Sequence, residues 1–180
     1  MLFPTHLLVA VGVGRLAGHQ RVRRRLPSTP TLSAWWLVVG AALPDVVDKP
    51  LGTLGVVDTY HSVGHSLLLV PLAVALAVRY RRGLAVTVGW GSHLALDAFH
   101  VVANGRASDA LFLAWPALTR SDPLAIPPGE FARFYAGSPS FYVELGLWLA
   151  AVVVVLRSQS AADRRDGKKG GRRDGREGDR

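Results

Sequence analysis

The chain of 180 residues contains no cysteine. That excludes disulfides, iron–sulfur clusters and thiolate zinc sites, so any metal must sit on His, Asp or Glu. No positive charge precedes the first apolar stretch, residues 2–17; Arg15, Arg21 and Arg23 to Arg25 come at or after its end. A secretory signal has the opposite order. From residue 157 onward there is almost no apolar side chain to pack, and 158–180 reads as a disordered basic tail. Despite that tail, mean hydropathy is +0.24 and 49% of the residues are apolar. The remaining body, 1–157, is therefore apolar enough for a membrane-embedded domain. A net charge of +8 would suggest nucleic acid if it covered a soluble surface. Here the basic residues gather at the ends of apolar runs, so topology explains them and no nucleic-acid partner is expected.

The apolar runs are 2–17, 32–43, 67–78, 83–102 and 141–156. The first makes about 24 Å of helix, shorter than the ~30 Å hydrocarbon core. The expected fold is all-α: a multispanning membrane helical bundle of about five transmembrane helices, the first one short. Trp35 and Trp36 are plausible interface anchors. Pro44 and Pro50 bracket a rigid turn that should end the second helix and hold Asp45 and Asp48. Arginine-rich segments 15–25 and 79–82 and the tail belong on the cytoplasmic side; 45–62 and 104–140 belong outside. That puts the N-terminus outside and the C-terminus in the cytoplasm, across a plasma or inner membrane. The proline-rich segment 104–139 reads as a loop able to cover a site.

Within the fourth run stand His93, Asp97 and His100, each one helical turn from the next, and Asn104 extends their stripe. Imidazole and carboxylate at i and i+4 can reach one cation. His61 and His65 form a second pair at the same spacing, expected to open the third helix. His6 lies at the outer end of the first run. The bland alternatives are interhelical hydrogen bonds for the stripe, capping for Asp45 and Asp48, and snorkelling for Glu144. Yet a topology drawn only from Lys, Arg and apolar runs puts His6, Asp45, Asp48, His61, His65, His93 and Asp97 at one membrane face. Only His19 falls on the other side, among arginines. Capping residues placed independently would not segregate this way, which favours a metal site.

Thr5-His6, Leu43-Pro44-Asp45 with Asp48, His61 through His65-Ser66, and Ser92-His93-Leu94 with Asp97 follow one another over the first hundred residues. In this order and spacing the chain resembles the YdjM-like inner-membrane family of metal-dependent hydrolases. The resemblance implies a multispanning membrane protein with a His/Asp metal centre and a hydrolytic activity.

Such ligands suit a divalent metal, zinc foremost, with manganese or iron as alternatives. His61, His65, His93 and Asp97 are the expected core ligands. His6, Asp45 and Asp48 would complete a second site or orient the first, and Asp45 or Asp48 would act as general base. Location near the outer leaflet suggests membrane lipid as the surroundings and a lipid-derived ester or phosphoester as the substrate. Two other classes compete: a transporter passing a cation through the same cluster, and a non-catalytic membrane protein docking through its tail. The plain Leu/Val/Ala inner halves of the third and fourth runs count against transport.

Overall fold

The computed structural model describes residues 1–19, 32–118 and 128–177. Among these there is no strand, and the chain is all-helical. The helices are α1 Phe3–Gly18, α2 Ala34–Thr53, α3 Val70–Arg79, α4 Arg81–Ala103, α5 Pro128–Tyr135 and α6 Pro139–Glu177. Short 3-10 segments, Leu67–Leu69 and Ala107–Ala114, precede α3 and follow α4. The chain divides into two compact units, Met1–Phe141 and Tyr142–Arg180.

In the first unit α2 packs on both α1 and α4, and α3 folds back along α4. The α2–α4 contact is close because it is made by glycines. A Cβ at Gly40 would lie 2.1 Å from the Val86 carbonyl oxygen, and one at Gly89 would lie 2.1 Å from that of Leu37. Small residues let helix backbones meet where lipid supplies no hydrophobic drive for association. The core at this crossing is small: Ala10, Leu37, Ala41 and Ala85. By contrast α3 buries no residue, and Leu72, Val74 and Val78 stand exposed.

Two expectations from sequence need correction. The second helix does not end at Pro44; α2 runs through Pro44 and Pro50 to Thr53. Pro44 cannot donate to the Gly40 carbonyl and its ring crowds it, which loosens that turn without stopping the helix. Asp45, Asp48 and Lys49 therefore sit on continuous helix. The second correction concerns His61 and His65, which do not open a helix. They lie in a loop of bends and turns, and regular structure resumes at Leu67.

Of the five expected spans, one helical stretch among the described residues, Pro139–Ser160, is both long and apolar enough to cross a membrane alone. Phe3–Gly18 and Leu67–Arg79 are apolar but shorter. Helix α6 continues to Glu177, through polar residues that composition alone suggests should be disordered. Glu144, expected to reach the interface, is buried. Trp35 is largely exposed.

Candidate metal centre

The loop after α2 is built on Asp48. This fully buried carboxylate accepts the backbone N–H groups of Ser62 (2.7 Å), Gly64 (2.8 Å) and His65 (3.2 Å). Trp90 on α4 donates its indole N–H to the Gly64 carbonyl at 2.8 Å. The loop is thereby tied to both helices, and His65 is delivered to the face of α4 that carries His93 and Asp97. Asp48 lies beyond the apolar part of α2. Burial alone would raise its pKa, but the His65 side-chain hydrogen bond and the Gly64 and Ser62 amides outweigh it and hold the carboxyl at about 2.

Asp48 also receives the His65 ring, with Nδ1 to Oδ2 at 2.7 Å. An ionised carboxylate only accepts, so Nδ1 carries the hydrogen and a neutral His65 has a bare lone pair on Nε2. His93 is fixed in the same way: its Nδ1 lies 2.7 Å from the Ala41 carbonyl oxygen, in the turn that Pro44 loosens. Its Nε2 is bare as well. These two nitrogens face one another at 3.1 Å. Asp97 Oδ2 lies 3.1 Å from His93 Nε2 and 3.4 Å from His65 Nε2. Two lone pairs and a carboxylate thus converge on one point among buried groups, an arrangement that repels itself unless a cation stands there.

A proton on His65 answers this in part. Burial lowers the His65 pKa, but hydrogen bonds to Asp48 and Asp97 outweigh it and raise the value above 6.5. A divalent metal answers it better. Ligand distances of about 2.0–2.2 Å at tetrahedral angles place donor atoms about 3.3–3.6 Å apart. The three separations lie close to that range, and both imidazoles already have an acceptor behind Nδ1, the arrangement that orients metal-bound histidines. Asp45 Oδ1 stands slightly farther out, 3.7 Å from His65 Nε2 and 3.9 Å from His93 Nε2.

The remaining residues flank this core. His6 stacks on the His93 ring with centroids 3.8 Å apart, and its Nε2 is 3.2 Å from Asp97 Oδ1. The amino group of Met1 touches the same oxygen at 3.2 Å. His61 meets His65 edge to face at 4.7 Å and packs against Phe112 at 4.9 Å. Among the described residues three groups have ligand atoms within 4.8 Å of one another: His6, His93 and Asp97; Asp45, His65 and His93; His61, His65 and Asp97. The structure therefore brings together His6, Asp45, His61, His65, His93 and Asp97, with Asp48 directly behind His65.

His100 and Asn104 take another course. His100 Nδ1 lies 2.9 Å from Ser140 Oγ, and the Asn104 amide donates to the same oxygen at 2.8 Å. Ser140 returns its backbone N–H to Asn104 Oδ1 at 3.2 Å. Sequence spacing put these two on the histidine stripe but could not find Ser140, 36 residues beyond Asn104. Lys49 and Phe112 were also not legible as site neighbours. An i+4 carboxylate partner for Lys49 was the available sign.

Residues 1–162 match the family described as YdjM inner membrane protein. The chain belongs to that family. Membership establishes it as a membrane protein and agrees with the exposed apolar surface of α3. No curated protein and no solved structure matches the chain.

Proposed function

We propose that this YdjM-family protein is a multispanning membrane hydrolase that uses a divalent metal, zinc foremost, to cleave an ester or phosphoester at the outer membrane face. The observation that carries this reading is the 3.1 Å approach of two imidazole Nε2 atoms whose Nδ1 atoms are both engaged. His65, His93 and Asp97 are the ligands. Three protein ligands plus an open position is the pattern of catalytic zinc, as opposed to closed structural sites. When bound, the metal supplies Lewis acidity that lowers the pKa of a coordinated water to about 7.

Asp45 is the general base. It is the carboxylate at the rim of the ligand cluster, it is more exposed than the ligands, and with its longer separations from the two imidazoles it would accept a proton from a water activated there. Asp48 has all its oxygens engaged and serves to orient His65. His6 and His61 wall the ligands, His6 by stacking on His93 and His61 against His65. The outer-face orientation is supported by charge: Arg15 lies in the last turn of α1, and Arg81 and Arg82 open α4, far along their helices from His6 and Asp97. Confinement of the cluster to one end, with α3 apolar from Val70 to Val78, supports hydrolysis over transport.

The test is Asp45→Asn in detergent-purified, zinc-loaded protein, screened against chromogenic carboxylic and phosphoric esters. Metal content should be unchanged and turnover should fall by about 100-fold or more. Full turnover in this variant would remove Asp45 from the mechanism.

A further inference from the structure

The Lys49 ammonium stands at the more exposed edge of this centre. The Lys49 side chain keeps 29% of its surface exposed, against 0% for His65 and His93. Its ammonium lies 3.3 Å from Asp45 Oδ1 and donates to the Tyr60 carbonyl at 3.4 Å, and it lies 5.9 Å from the centre of the Tyr60 ring. A surface i,i+4 pair with an aspartate would by itself mean little. This pair differs in two ways. Its oxygen is the one that faces the two imidazole nitrogens, so a single carboxylate atom separates the ammonium from the ligand cluster. And the Tyr60 carbonyl, on the loop that delivers His61 and His65, holds the ammonium on the site side of α2. The ammonium has three donors, and its two protein acceptors leave one for solvent or a ligand.

Resting on the hydrolase reading above, we infer that Lys49 binds an anionic oxygen of the substrate, and that the substrate class is therefore the phosphoester. A phosphoryl group carries several oxygens around one atom and negative charge. It would offer one oxygen to a metal held by His65, His93 and Asp97 and another to Lys49. A carboxylic ester has no charge for the ammonium to meet. Lysine is a common point-charge partner of phosphate. Hydrolysis then adds water across the ester: the water oxygen bonds to phosphorus and the bond to the alcohol oxygen breaks. One proton passes by way of Asp45 to the leaving alcohol, and the other stays on the phosphate.

The experiment uses the full chain in detergent, loaded with zinc, with inorganic phosphate as the probe and metal content measured on every sample. Lys49→Gln should keep its metal and bind phosphate roughly 10- to 100-fold more weakly, the loss expected for one charge-assisted hydrogen bond. Lys49→Arg should stay near wild type. Vesicles of phosphatidic acid and of phosphatidylcholine are then added as competitors. Displacement of phosphate by phosphatidic acid alone identifies a lipid headgroup, and displacement by neither identifies a soluble phosphoester; both agree with Lys49 binding phosphate. Equal phosphate affinity in wild type and Lys49→Gln, with metal present in each, would overturn the assignment of Lys49 and leave the metal centre standing. Absence of metal from wild type would overturn the centre itself, and this inference with it.

Discussion

Helix α4 carries two buried polar clusters about one turn apart, and they behave oppositely. Around His100, Asn104 and Ser140 each contact pairs a donor with an acceptor: an amide with a hydroxyl, a backbone N–H with an amide oxygen, a hydroxyl with a ring nitrogen. That cluster is complete as it stands. Around His93 and Asp97 the hydrogen bonds are also well made, but they lie behind the rings, at Asp48 and at Ala41. In front of the rings the Nε2 lone pairs of the two neutral imidazoles meet the Asp97 carboxylate. The rings of His65, His93 and His100 each satisfy the rule that buried polar groups find partners, while His6 Nδ1 has none among the described residues. Only one of the two clusters has its unspent lone pairs aimed at a common point. The direction of the hydrogen bonds, and not the presence of histidine, separates a structural knot from a candidate ligand set.

The comparison is broken most severely at the ligands. Asp97→Ala or His93→Ala should remove the metal altogether and with it hydrolysis, read as metal content and turnover; full metal content in His93→Ala would contradict the reading. Asp48→Asn comes next. An amide nitrogen cannot accept, so at least one of the donors now held by the carboxylate loses its partner. Metal affinity should fall by about 10- to 100-fold, as for other groups that orient a ligand. The same residue gives a pH dependence. Its carboxyl lies at about 2 in the folded protein against an ordinary 3.8, so its contribution is fully present above the ordinary value and is lost as pH falls towards the folded one. That contribution is about 2 kcal/mol, and denaturation of wild type and Asp48→Asn across this window should show the difference closing on the acid side.

The smallest effect sharpens the contrast. Ser140→Ala should cost about 1 kcal/mol in stability, the worth of a buried hydrogen bond, and leave metal content untouched. Metal lost from Ser140→Ala would mean that the two clusters are one.

Much of this was legible in the sequence. The i,i+4 pair His93 and Asp97 needed only helical pitch, and the gathering of His6, Asp45, Asp48, His61 and His65 near it followed from where arginines close the apolar runs. What escaped was decided by tertiary contact. Proline suggested an end to α2, but a helix held on two sides by α1 and α4 tolerates the lost hydrogen bond. His61 and His65 have helical spacing, yet Asp48 captures three backbone amides between Ser62 and His65 and folds the segment as a loop. The division of labour between Asp45 and Asp48 also needed the structure, because two aspartates three residues apart differ here only in what surrounds them. Asp48 is enclosed by donors, and Asp45 stands at the exposed edge beside Lys49.

The most direct test of the central claim is X-ray absorption at the zinc edge of the metal-loaded protein in detergent. The account predicts a first shell of two imidazole nitrogens at about 2.0–2.1 Å with oxygen donors at about 2.0–2.2 Å, reduced to one imidazole in His65→Ala if metal is retained. A shell without imidazole, or one unchanged by loss of His65, would contradict it.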